Sequence, residues 1–398
     1  MDTYWNLSTT IRDYDFTKRS AENIKRITDT EQFREKDSET IFQYLSNQME
    51  IVPFGDYLKR YLYEKCEMSG PFREIEEETF VAIISDSFSM NHAPHAFTPV
   101  TSKWRNIIKR WLRSTSVKRT TVFLLGFGLN MPDQDVSMFL KKVLKEQDFD
   151  FTDPDETIFW YCFHNALPYS EAVALKKNTD IETQAVPIAP GFWASLGDRL
   201  SVYLSNPVML HAYLRELQIQ QPNRTGKLRR ELKTLYDAAV PAARKILAEA
   251  DMPRKAEIDS SGAYDIERVL YCGIRRGANH NLEPAGRSML SSLFSRKRMD
   301  RQHLSLLLRG QMAADRFDLL TLQFLIVAAT AEERSITGPG APKERLFWFI
   351  DTANAILRRC DLWELYPVNP YEGFLLMCLL TEDPICVFND VWEMAYEL

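Results

Sequence analysis

Apolar residues along this chain recur at three- and four-residue intervals, and runs that alternate apolar and polar residues between hairpin turns are nearly absent. In Ser102–Arg113, Trp104, Ile107, Ile108, Trp111 and Leu112 fall on one helical face. Arg105, Lys109 and Arg113 form a row on another face, with Lys103 and Arg110 beside them. The same spacing predicts helices over 37–50 (Ile41, Tyr44, Leu45, Met49) and over 54–65 (Phe54, Tyr57, Leu58, Tyr61, Leu62). Further helices are expected over 80–88, 117–130, 131–144, 192–220 with a break at Pro207, 228–250 around Pro241, and 319–329. Asp153, Pro154 and Glu156 have the chemistry of an N-cap, first and third helical position, so a buried helix should follow over 158–163. Segments 90–99, 222–226 and 273–286 read as loops or turns from their Pro and Gly content. The expected fold class is all-α.

At 398 residues the chain has room for two or three domains, and its formal charge of -6 excludes a protein coated in nucleic acid but not a single basic patch. That charge is uneven: no acid occurs over 101–130, while the first ninety residues and the last sixty are acidic. The cysteines, Cys66, Cys162, Cys272, Cys360, Cys378 and Cys386, form no CxxC pair and most sit among apolar neighbours, as thiols in a reducing cytoplasm do. The N-terminus has no signal-peptide pattern. The most apolar run, 319–329, covers about half a membrane span and reads as a core helix, so no membrane partner is expected.

The chain also matches itself. Leu112-Arg113-Ser114 and Leu308-Arg309-Gly310 each close a helix, and Arg119 and Arg316 follow each in turn. Val122 to Leu125 then matches Leu319 to Leu322, and Val143-Leu144 matches Ile356-Leu357. The start Asp153-Pro-Asp-Glu156 matches Asn369-Pro-Tyr-Glu372, and Cys162 matches Cys378. Arg301, Ser305 and Arg309 repeat the row of Arg105, Lys109 and Arg113. An internal duplication is therefore expected. It gives an N-terminal helical domain over 1–185, with its core near 80–165, and a C-terminal one over 186–398, with a second unit near 288–396.

The run from Trp111-Leu-Arg-Ser through Val117-Lys-Arg-Thr-Thr-Val-Phe-Leu-Leu-Gly-Phe-Gly-Leu-Asn-Met-Pro-Asp-Gln-Asp-Val136 resembles the second half of a phage-repressor helix-turn-helix domain of the Cro/C1, or XRE, class. His303 to Gly310 and Arg316 to Leu319 are similar to it. The Gln-x-x-Leu-Ala turn usual between the first two helices of that class is not recognisable over 80–99. Taken whole, the chain also resembles a group of uncharacterised bacterial helical proteins of similar length, a resemblance that carries over no activity. The class implies a DNA-binding regulator of double-stranded DNA.

On that reading Lys103, Arg105, Lys109, Arg110, Arg113, Lys118 and Arg119 would contact phosphates with Asn106 near base edges, and Arg296, Lys297, Arg298, Arg301 and Arg309 would form a second contact. The alternative is a non-enzymatic adaptor on the same scaffold. It could sit in an anti-phage or mobile-element system and bind protein through the acidic, ring-rich C-terminal region with Trp348, Trp363, Tyr366, Tyr371, Trp392 and Tyr396. No catalytic constellation, metal set or cofactor fingerprint can be assembled. His92-Ala-Pro-His95 lacks partner ligands, Gly126-Phe-Gly128 lacks the third glycine of a dinucleotide loop, and 277–286 lacks Gly-Lys-Ser/Thr. Asp133, Asp135, Asp153 and Asp155 read as helix-start residues.

Overall fold

The structure is a computed structural model that describes residues 38–47, 53–91, 102–178, 199–250, 262–271, 290, 294, 297–338 and 340–397. Every regular element among the described residues is helical. The fold is all-α. Backbone contacts divide the chain into a contiguous unit, 52–222, and a bipartite unit made of 1–51 with 223–398. The sequence reading places its boundary at 185/186. Backbone contacts group residues on either side of 222/223, within a helix, and gather 1–51 with 223–398.

The contiguous unit holds α2 (Phe54–Lys65), α3 (Glu77–Met90), α4 (Ser102–Arg113), α5 (Arg119–Gly128), α6 (Asp133–Met138), α7 (Pro154–His164), α8 (Tyr169–Asn178), α9 (Leu200–Leu204) and the start of α10 (Pro207–Glu249). A π-type turn, Phe139–Val143, continues α6. It sends the Phe139 ring among those of Phe54, Tyr57 and Tyr61, edge to face at 4.9 to 5.9 Å. The first turn of α2 meets the end of α4 backbone to backbone: Phe54 N–H donates to Thr115 O and Gly55 N–H to Ser114 O. Only glycine fits there, because a Cβ on Gly55 would lie 2.1 Å from Leu112 O. Likewise the Phe88 ring of α3 rests on Gly128, while Ser87 and Asn91 donate to Gly128 O and satisfy the end of α5.

The bipartite unit holds α1 (Ser38–Asn47), the rest of α10, α11 (Ala263–Leu270), α12 (Arg301–Leu308), α13 (Arg316–Thr330), α14 (Ala341–Arg359), α15 (Pro370–Leu379) and α16 (Pro384–Glu397). Its centre is α15, every residue of which is buried, packed against α1, α13, α14 and α16. Phe294, Phe324, Phe374, Phe388 and Trp392 stack through this core. Where the sequence predicts a turn over 222–226, α10 stays helical throughout, and Pro241 sits inside it on an exposed face. A proline inside a helix removes one backbone bond and clashes with the preceding turn. Those local costs are tolerated here. The expected loops 92–99 and 273–286 lie outside the described residues.

One arrangement occurs in both units. Arg119, at the start of α5, pairs with Glu156 at 2.6 Å, and its Nη2 donates to Asp148 O. Glu156 accepts the N–H of Asp150, six residues before it. Arg316, at the start of α13, pairs with Glu372 at 2.8 Å, and its Nη2 donates to Glu364 O. Glu372 accepts the N–H of Tyr366, again six residues before it. Both glutamates are third in helices opened by proline, capped by Asp153 in one unit and Asn369 in the other. A single residue in left-handed conformation, Lys145 or Asp361, precedes each loop.

Candidate functional site: the basic face of α4

Helix α4 buries Ile108, Trp111 and Leu112, as its spacing predicts, and leaves its basic residues outside. The row of Arg105, Lys109 and Arg113 faces the first turn of α3. Arg105 Nη2 pairs with Glu78 at 2.8 Å, Lys109 pairs with the same carboxylate, and Arg113 clamps Glu77 through two nitrogens. Acids belong in that first turn because the helix N-terminus is electropositive. Hydrogen bonding from Arg113 holds the Glu77 carboxyl below its ordinary range, and Lys109 and then Arg105 do the same for Glu78. The pairs are open to water, so each contributes little to stability. Their consequence is electrostatic: two carboxylates offset most, but not all, of the charge of the three cations in the row.

Lys103, Asn106, Arg110 and Lys118 are exposed, and among the described residues none has an ion-pair or side-chain hydrogen-bond partner. Arg119 is different in kind. Its guanidinium is engaged by Glu156, Gln147 O and Asp148 O and braces the fold. In the bipartite unit Lys297 stands over the Phe317 ring and Arg298 over that of Tyr271, at 3.3 and 5.0 Å. Arg309 is exposed and Arg301 half-buried, while Arg296 lies outside the described residues. Thus α4 carries six of the first set (Lys103, Arg105, Asn106, Lys109, Arg110 and Arg113) outside its buried face, whereas two of the second set rest on aromatic rings.

The carboxylates of the sequence reading do not converge. Asp133 meets His164, Asp135 accepts from Tyr61, Asp153 caps α7, and Asp155 pairs with Lys176. No cluster among the described residues could hold a metal ion. Gly126 and Gly128 lie within α5 against the rings of Phe163 and Phe88, which is a close helix contact. Of the C-terminal rings, Tyr366, Tyr371 and Trp392 are buried, Trp348 is half-buried and Trp363 is 43% exposed. The side chain of Tyr396 lies outside the described residues. Among described residues no helix is long and apolar enough to cross a membrane.

Sequence reasoning missed the role of Glu77 and Glu78. Their only local signal is position in a helix start, and nothing along the chain links them to a row that begins at Arg105. It also missed a cleft in the bipartite unit of about 690 Å³, lined by the ends of several helices. Comparison with known proteins returns no match: no family model, no curated protein and no solved structure.

Proposed function

We propose that this chain is a non-enzymatic helical adaptor that binds protein partners on a scaffold of two diverged copies of one helix-turn-helix-like unit. The observation that carries this reading is the engagement of Arg105, Lys109 and Arg113 by Glu77 and Glu78. Duplex DNA binding draws its affinity from cations that replace the counterions of phosphates. A row already paired with two carboxylates has less charge to offer phosphates. Exposed rings such as Trp363 and Phe347 are of the type that anchors protein interfaces.

Shared ancestry of the two units is supported by the repeated arginine–glutamate clasp, with the same helix-cap chemistry and the same backbone acceptors. Lys145 and Asp361 refine the register. They align Leu144 with Cys360, whereas sequence matching alone aligns Leu144 with Leu357. On this alignment Cys162 and Cys378, both buried, remain paired.

A mobility-shift titration of duplex DNA at several salt concentrations tests the proposal. No retardation is expected even at low salt. Retardation whose log K falls with log salt by about 0.9 per phosphate neutralised would overturn it. That result would favour the second reading, a DNA-binding regulator, which rests on the exposed Lys103, Asn106 and Arg110 of α4 and on exposed Lys118 beyond it. Lys103→Glu with Arg110→Glu would then abolish the shift.

A further inference from the structure

The cleft of about 690 Å³ lies where α10, α13 and α15 end and α14 and α16 begin, all within the bipartite unit. Half-buried Ile246, Ala328, Ile336, Pro342 and Ile385 give it an apolar floor. Two cations line it, and both serve the protein itself. Lys245 donates to Ala329 O at the end of α13 and pairs with Glu333 at 3.0 Å. Arg345, buried, donates to Leu379 O and Thr381 O at the end of α15. Orphan carbonyls at helix C-termini attract such groups, and burial pushes the Arg345 guanidinium down to about 10.

Lys245 also lies 3.9 Å from Glu249, so with those cations engaged the exposed lining carboxylates Glu332, Glu382 and Asp383 set the charge of the mouth. The volume is that of a site for a few side chains. An apolar floor beneath a carboxylate rim complements a chain segment that carries both aliphatic and cationic side chains. We propose that this cleft docks a basic, partly apolar peptide segment of a protein partner. Its aliphatic groups would cover Ile246, Ile336 and Ile385, and its Lys or Arg heads would meet Glu332, Glu382 and Asp383. The proposal rests on the protein-binding reading and names the partner's chemistry.

Fluorescence anisotropy of the full chain with a fluorescein-labelled peptide of alternating Leu and Lys tests it, with a Leu/Glu peptide beside it. The Leu/Lys peptide should bind and the Leu/Glu peptide should not. Glu332→Lys with Glu382→Lys should weaken binding about tenfold, and Ile336→Asp should weaken it as well. Glu74→Lys with Glu76→Lys, the same charge change on exposed residues of the contiguous unit, should leave it unchanged. Absence of binding, or an equal loss in both charge variants, would overturn the cleft as the site. Salt-dependent DNA retardation would instead remove the protein-binding reading on which the cleft proposal rests, so the two failures are separable.

Discussion

Arg316 and Glu372 show how a single ion pair can organise a loop. Burial raises the Glu372 carboxyl above its ordinary range, while the charge of Arg316, the Tyr366 N–H and the hydrogen bond from Arg316 oppose that shift. Removing one partner leaves an uncompensated buried charge. Arg316→Met should therefore cost about 3–5 kcal/mol in urea unfolding, and adding Glu372→Met should restore much of the loss. A single-variant loss below 1 kcal/mol would show that the pair is only ornamental. His303 offers a test by pH. Burial disfavours its charged form, but the hydrogen bond to Asp318 and the charges of Asp318, Asp315 and Asp300 prevail, so its pKa lies above 6.5. Stability from this pair is fully present below about pH 6.5 and is lost as pH rises through the folded value. The melting temperature should fall on going from about pH 6 to 8, and His303→Gln should flatten that fall. Sequence marked Arg119 and Arg316 as landmarks but assigned Arg119 to phosphates. The partners that decide its role, Glu156 and two carbonyls, are distant in the chain.

Helices α2 and α4 occupy the residues their apolar spacing predicts, and the Asp153 cap and Pro154 start were equally legible. Amphipathic period and capping chemistry are local, so sequence carries them. The helix through 222–226 was not legible, because local turn propensity is outweighed once both flanking stretches are helical. Contacts between helices were also hidden. Gly55→Ala would push a methyl onto Leu112 O, and Gly128→Ala would push one into the Phe88 ring. Each should destabilise the protein by about 1–3 kcal/mol, measured by chemical denaturation. Ala in place of Gly226, which has open space around it, should show no such loss. The α3–α4 contact makes a functional prediction. Glu77→Gln with Glu78→Gln leaves Arg105, Lys109 and Arg113 without carboxylate partners from α3. That variant should retard DNA at low salt where the wild type does not, and identical behaviour of the two would remove the acids as the reason for any lack of binding.

At the scale of the molecule, the division at 222/223 and the two clasps make one argument about cooperativity. Among the described residues, the hydrophobic core that runs from Ile41 to Ala395 is built from the bipartite unit. Each unit has its own ion pair, half-buried in the contiguous unit and more deeply buried in the bipartite one, holding the loop before a proline-opened helix. Two units, each with its own clasp, should unfold in two calorimetric transitions, a departure from the single transition of one-domain proteins. Arg316→Met should lower one transition and leave the other in place, while Arg119→Met should do the reverse. Should both variants shift one common transition by similar amounts, the units unfold together. The repeated clasp would then stabilise one cooperative body, and the picture of two independently stable units would have to be abandoned.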